Sequence, residues 1–191
     1  MEITWILLSY LVGSVPFGLV FSKIFLKIDI RKIGSGNTGT TNVLRTGSKL
    51  LALLTLFFDA GKGVFMVFSA SIFSPHLITI TAFAVLIGHN FSAFLKLKGG
   101  KGFATTFGYF LYFEPLTFLI FGGIWLLIFL ITKYSSLSAI AVLFLMPFVF
   151  FFGTNLPLSV KILFILISIL GIFQHRENIK RLINGTENKI K

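Results

Sequence analysis

"LLALLTLFFDAGKGVFMVFSASI", residues 50–72, is an apolar run interrupted by only two charges, Asp59 and Lys62. At about 1.5 Å of rise per residue, a helix of this length covers the roughly 30 Å hydrocarbon core of a bilayer. Charges inside such a segment are expensive and commonly pair. The i, i+3 spacing puts Asp59 and Lys62 on one helix face, which favours a structural ion pair over a proton path. Composition extends this reading to the whole chain. Of 191 residues, 55% are hydrophobic, 25 are Phe and only 12% are charged, with a mean hydropathy of +0.95. A soluble domain needs roughly twice that charged fraction to cover its surface, so lipid must take the apolar surface that protein burial cannot.

Further apolar runs at 3–24, 77–95, 103–113, 116–132, 138–153 and 157–173 predict, with 50–72, seven transmembrane helices. The expected architecture is all-α: one polytopic integral membrane domain, 1–191, with polar cytoplasmic loops. The run 103–113 is short and Glu114-Pro115 breaks it from the next, so these two could also form one broken hairpin. Seven crossings fit the charges better. With the N-terminus outside, the inward segments are 25–49, 96–102, 133–137 and 174–191. Together with Lys23 they carry fifteen of the 17 Lys and Arg residues, all but Lys62 and Lys161. That asymmetry sets the orientation by the positive-inside rule. The first run has no basic flank before it and no small-residue cleavage site after it, so it reads as a retained span.

The formal charge of +11 lies in short clusters between apolar runs, which speaks for topology and anion binding and against a nucleic-acid partner. With no cysteine there is no disulfide framework, Cys-ligated zinc or thiol nucleophile. The three histidines are far apart and carboxylates are scarce, so no metal and no cofactor is expected. Outward turns are short, whereas inward segments are polar, cationic and rich in Gly or Ser; the chemistry belongs at the cytoplasmic face.

The first inward segment contains "KIGSGNTGTTNVLR", Lys32 to Arg45. Its "GSGNTG" matches G-x-G-x-x-G, but the dinucleotide fingerprint needs a preceding strand and a later acid, and none lies between Asp29 and Asp59. A Walker A loop fails too, since Thr40 stands where the lysine must be. What survives is the shared physics. Gly34, Gly36 and Gly39 let backbone N–H groups converge on an anion, and Ser35, Asn37, Thr38, Thr40, Thr41 and Asn42 add neutral donors. Arg45 supplies a charged fork suited to phosphate.

In the second segment, "KLKGGKGFATTFGYF", Lys96, Lys98 and Lys101 surround Gly99, Gly100 and Gly102 where a helix should start. A helix N-terminus with free amides is an anion site. Upstream, His89 falls inside the third span and reads as a hydrogen-bonded packing residue. The third segment, "FQHRENIKRLINGTENKIK", places His175 and Asn178 at i, i+3 on one face of a short helix, pairs Glu177 with Arg181 at i, i+4, and ends that helix at Gly185. Ser135, Ser136 and Ser138 either cap the sixth helix or add hydroxyls to the anion site.

Taken together, "GSGNTGTTNVLR", "GHNFSAFLKLKGGKGFAT" and "HRENIKRLINGTE" resemble one family, the bacterial acyl-phosphate-dependent glycerol-3-phosphate acyltransferases (the PlsY family). The likeness spans essentially the whole chain, with Thr40 standing where many relatives carry Ala. It implies a multi-pass protein of the bacterial cytoplasmic (inner) membrane, N-terminus outside, active site and C-terminus cytoplasmic. It also implies the first acylation of phospholipid synthesis: transfer of a fatty acyl group from acyl phosphate to the 1-hydroxyl of sn-glycerol 3-phosphate, giving lysophosphatidic acid and inorganic phosphate. By the same resemblance Ser35, Arg45, Lys101, His175 and Asn178 are the active polar residues. Gly99, Gly100 and Gly102 shape the acyl-phosphate site, and Glu187 is structural. Membrane lipid is the expected surround and a monomer the expected state.

No Cys is present and His89 lacks the H-x-x-x-x-D aspartate, so direct attack by the glycerol hydroxyl, without an acyl-enzyme, is expected. Its proton goes to the acceptor's own phosphate or to His175. The rival from another class is a membrane carrier for an organic phosphate, but a carrier exposes its site to both faces, and here the polar residues crowd one side.

Overall fold

One side of the long central helix is built for protein and the other for lipid. In the computed structural model, which describes residues 1–190, the run containing Asp59 and Lys62 forms α4 (Lys49–Phe73), started by Ser48, whose Oγ accepts the Leu51 N–H at 3.3 Å. Its buried face carries small and polar groups, Ala52, Thr55, Asp59, Lys62, Gly63 and Ala70 among them, whereas Leu50, Leu53, Phe57, Phe65 and Phe68 are exposed. That inversion of the soluble pattern is what a lipid solvent requires.

All regular structure among the described residues is helical. Among the described residues, four segments are long and apolar enough to cross a bilayer: α4, Pro75–Leu95, Pro115–Thr132 and Ser135–Gly153; the number rises to six if each of two bent pairs is one span. The chain divides into two compact units, Met1–Tyr112 and Phe113–Lys191.

In the first unit, α1 (Glu2–Ser14) and the segment Phe17–Leu26, which opens with α2 (Phe17–Phe21), bend by 44° at Val15–Pro16. Proline disfavours helical geometry in the residue before it, and Val15 is extended (ψ 116°). A π-turn, Ser22–Leu26, ends at left-handed Lys27. The short α3 (Thr40–Leu44) follows the polar loop, and α5 (Ile78–Asn90) packs on α1 at backbone contact. A Cβ on Gly13 would collide with the Val85 carbonyl, and one on Gly88 with that of Tyr10; small residues are what allow such approach. Trp5 Nε1 to Thr81 Oγ1 (2.9 Å), Tyr10 OH to the Phe91 carbonyl (2.8 Å) and Ser92 Oγ to the Ser14 carbonyl (2.6 Å) complete the contact. α6 (Phe103–Phe113) is held by Tyr109, whose hydroxyl donates to the Ala82 carbonyl at 2.6 Å.

The second unit holds α7 (Pro115–Thr132), α8 (Ser135–Gly153), α9 (Leu158–Gln174) and α10 (Arg176–Ile183). Pro115 opens α7 at its first position, where its missing N–H costs nothing. Only Thr117 and Phe121 of α7 are buried, so most of this apolar helix is left for lipid. Phe150 and Phe164 stack with centroids 3.7 Å apart, and Ser168 Oγ donates to the Leu143 carbonyl at 2.5 Å.

Candidate active site

The loop between the π-turn and α3 is wound around one side chain. Asn42, 1% exposed, donates from Nδ2 to the carbonyls of Ile30 (2.7 Å), Asn37 (2.8 Å) and Ile33 (3.2 Å), and its Oδ1 accepts the Ser35 N–H at 3.0 Å. Gly39 N–H donates to Asn37 Oδ1 at 3.1 Å and Gly36 N–H to the Ile33 carbonyl at 2.9 Å. Much of the donor set expected to face an anion is thus spent inside the loop. Asn42 acts as a brace of the loop, its carboxamide bonded to the backbone that it organises. Beneath it Leu19, Ile30, Val43, Leu51 and Ala52 form a small apolar core that anchors both ends. Thr38 is buried, and the Thr40 Oγ1, also buried, has no hydrogen-bond partner.

Gly34 and Gly36 adopt left-handed φ values of 55° and 70°, accessible to Gly without penalty. At Gly34 space matters as well: a Cβ would collide with Asn42 Oδ1 and come within 2.9 Å of Arg45 Cδ. Arg45 therefore folds back over Gly34, across eleven positions of sequence. Ser35, Thr41 and Arg45 are half-buried.

The second segment docks on the end of α5. Gly99 N–H donates to the Asn90 carbonyl at 3.0 Å and Gly100 N–H to that of His89 at 2.8 Å. These two amides are not the free ones expected from the spacing. One step later α6 begins: the Thr106 N–H reaches the Gly102 carbonyl at 2.9 Å, and the N–H groups of a helix's first turn have no intrahelical carbonyl to reach. Lys101 stands between the docked glycines and the start of α6.

The two segments meet. A cavity of about 420 Å³ is lined by Gly36 from the first and Gly99 from the second, together with Arg31, Lys96, Lys98, Phe94 and Leu95. Three cations and two apolar side chains at one opening suit a ligand that joins an anion to a hydrocarbon chain. Arg31 was not legible as part of it. It is held by Asp29 in a two-pronged ion pair, Nη2 to Oδ2 at 2.6 Å and Nε to Oδ1 at 2.9 Å. The Arg31 hydrogen bond keeps the Asp29 carboxyl well below the usual carboxylate range. The signal that could have found it is Asp-x-Arg, closing on itself across one residue.

In the second unit His175 sits at the 54° bend between α9 and α10, 3% exposed, with its Nδ1 2.7 Å from the Gly171 carbonyl. A carbonyl only accepts, so in the neutral ring the hydrogen is on Nδ1 and the basic lone pair on Nε2. Asn178, 4% exposed, donates to Glu187 Oε1 at 2.9 Å. Glu187 also accepts from Ser136 Oγ (3.1 Å) and, through Oε2, from Arg181 Nε (2.7 Å). Arg181 thus pairs with Glu187 and not with Glu177, which instead meets Lys180 at 3.4 Å. The reversal after α10, where Gly185 has φ 68°, brings that acid back. Ser138 is fully buried, and its Oγ donates to the Tyr134 carbonyl one turn earlier, at 3.1 Å.

The chain has counterparts elsewhere. The family model described as "Glycerol-3-phosphate acyltransferase" matches residues 3–185. A glycerol-3-phosphate acyltransferase of Thermotoga petrophila is 40% identical over 186 residues, covering 96% of this chain and 94% of that one. One from Pelagibacter ubique is 44% identical over 183 residues, with the same two coverages of 96% and 94%. Among solved structures, PlsY (YgiH), an integral membrane glycerol 3-phosphate acyltransferase, superposes in its glycerol 3-phosphate form with a TM-score of 0.91 at 36% identity, covering 99% of this chain and 95% of that one. Its lysophosphatidic acid form gives 0.88 at 35%, with the same coverages of 99% and 95%. Helices built for lipid, a phosphate-suited loop and these end-to-end likenesses have one reading: the chain belongs to the glycerol-3-phosphate acyltransferase family, as a bacterial membrane acyltransferase of phospholipid synthesis.

Proposed function

We propose that the acyl group this enzyme places on glycerol 3-phosphate comes from an acyl phosphate and goes to the 1-hydroxyl, directly. The hydroxyl oxygen bonds to the acyl carbonyl carbon, the bond from that carbon to the phosphate oxygen breaks, and inorganic phosphate leaves. The hydroxyl proton passes to the acceptor's own phosphate or to His175, whose Nε2 has the basic lone pair in the neutral ring. The observation that carries this reading is the cavity of about 420 Å³, where Arg31, Lys96 and Lys98 stand beside Phe94 and Leu95. Such a lining fits a phosphate joined to a hydrocarbon chain better than a large soluble carrier of the acyl group. PlsY, captured in glycerol 3-phosphate and lysophosphatidic acid forms, is consistent with the acceptor and product.

An acyl phosphate is already activated, so its departing phosphate needs neutralising more than protonating. Arg45 and Lys101 supply that charge, Ser35 hydrogen-bonds the phosphorylated ligand, and Asn178 orients a reactant oxygen. Seven crossings with the N-terminus outside keep the three motifs in the cytoplasm, where glycerol 3-phosphate is available. Purified protein given acyl phosphate and glycerol 3-phosphate in detergent should release phosphate and 1-acylglycerol 3-phosphate in equal amounts. Activity only with acyl thioesters would overturn the donor, and a covalent acyl-Ser35 species trapped during turnover would overturn direct transfer.

A further inference from the structure

The bent pair that opens the first unit ends in a patch where exposed cations and exposed apolar side chains alternate. Beyond α2 the helix widens into the π-turn Ser22–Leu26, and the Ile28 N–H reaches back to the Ser22 carbonyl at 3.2 Å. Such turns are rare and recur at functional sites. Lys27 closes it with φ 58°, a left-handed conformation that costs a residue carrying a Cβ. Lys23, Ile24, Phe25, Lys27 and Ile28 are all exposed, whereas Ser22 and Ile30 on either side are buried. A row of rings leads to the patch. Lys62, paired with Asp59 at 2.8 Å, lies 5.6 Å from the centre of the Phe17 ring; Phe17 and Phe21 both meet Phe58, at 5.0 and 5.4 Å, and Phe21 meets Phe25 at 6.3 Å. Past Ile30 the chain continues into exposed Arg31 and Lys32, and Arg31 lines the cavity. Lys23 is within electrostatic reach of the acid that holds Arg31: after Arg31 itself, whose hydrogen bond is the largest cause, its charge also keeps the Asp29 carboxyl low.

We infer that residues 23–28 are a docking surface for anionic phospholipid headgroups, and that headgroups seated there act on the cavity through the Asp29–Arg31 pair. Position supports this first. Glu2–Ser14 and Phe17–Leu26 together are long and apolar enough for one bent span, so Lys23 and Lys27 stand at the end of its apolar part, at headgroup depth. Composition supports it next, because Ile24, Phe25 and Ile28 can enter the boundary between headgroups and acyl chains while the lysines stay level with the phosphates. Charge decides the occupant. No acid lies between Glu2 and Asp29, and Asp29 is committed to Arg31 at 2.6 Å, so the lysines call for an anion from outside the segment. Free phosphate meets that demand and leaves the apolar side chains unanswered; an anionic lipid meets both. On α10, by contrast, Lys180 is paired with Glu177 and Arg181 with Glu187. The inference does not depend on which acyl donor is used.

The test places the full-length protein in phosphatidylcholine nanodiscs with a rising fraction of phosphatidylglycerol, and compares it with a variant carrying both Lys23→Gln and Lys27→Gln. In the wild type the anionic lipid should raise the thermal midpoint and speed acylation of glycerol 3-phosphate about threefold or more, since each lysine adds about fivefold to the attraction for an anionic surface. The double variant should lose most of both responses and match the wild type in pure phosphatidylcholine. Lys180→Gln should keep them. Salt at about 0.5 M should suppress the wild-type response by screening, and inorganic phosphate added to phosphatidylcholine discs should not reproduce it. No response in the wild type, or an undiminished one in the double variant, would overturn the docking surface. Equal loss in Lys180→Gln would show a general effect of surface charge and overturn it too, and a response to inorganic phosphate would overturn the lipid as occupant. Coupling to the cavity is read separately: Asp29→Asn should keep the midpoint shift and lose the rate increase, and a rate increase that survives this substitution would overturn the coupling.

Discussion

The Asn42 carboxamide oxygen accepts the Ser35 N–H at 3.0 Å, so a side chain at the start of α3 holds the backbone of the residue expected to meet substrate, seven positions earlier. The other end of the same carboxamide donates to three carbonyls. One residue therefore carries the shape of the whole phosphate-suited loop.

Asn42→Ala should cost about 2–3 kcal/mol of stability, the scale of leaving buried carbonyls unpaired. Asn42→Asp keeps the acceptor for Ser35 and loses the donors, so it should be nearly as harmful. Chemical or thermal unfolding in detergent, alongside turnover, checks both; normal stability in the Asn42→Asp variant would contradict the brace.

Arg45 reaches the loop by passing over Gly34, whose missing Cβ makes the room. Gly34→Ala pushes Arg45 away and also forces Ala into φ 55°, a strain of about 1–2 kcal/mol. Activity should fall about a hundredfold. Arg45→Ala should fall at least as far with the protein still folded, and Arg45→Lys should recover only part, since the ammonium lacks the guanidinium fork.

Glu187 joins Ser136, Asn178 and Arg181. Glu187→Ala should lower kcat about tenfold or more by releasing Asn178, and Glu187→Gln should restore part of it, because the amide oxygen still accepts from Asn178 while Arg181 loses its counter-charge. Equal kcat in the Ala and Gln variants would show that the carboxyl acts in some other way.

The Asp29–Arg31 pair should be silent in the pH profile. Its carboxyl pKa is depressed from 3.8, chiefly by the Arg31 hydrogen bond. A depressed acid contributes stability that is fully present above the unfolded value and is lost as pH falls through the lower folded one. Between about pH 5 and 8 the pair stays ionised, so Asp29→Asn should alter the KM for the donor through Arg31 without changing the shape of the profile. Movement of an apparent pKa in that window on this substitution would exclude the pairing.

The apolar runs and their charged ends were legible without coordinates, because a bilayer acts on local composition: about twenty apolar residues are a span wherever the rest of the chain goes. For the same reason the Asp59–Lys62 pair could be read, since three residues on one helix fix the distance between their side chains. Arg181 could not. Helical spacing offered it Glu177, but the turn at Gly185 delivers Glu187, and which acid wins depends on a chain reversal. Asn42 likewise looked like one donor among many until the backbone wrapped it. Gly99, Gly100 and Gly102 read together as parts of one anion site at a helix start, yet Gly99 makes room for a carbonyl of α5 and Gly100 for an imidazole. Motif residues and membrane character are properties of neighbours along the chain; the partner of each buried polar group is settled by where separate helices touch, and that is a matter of packing in three dimensions.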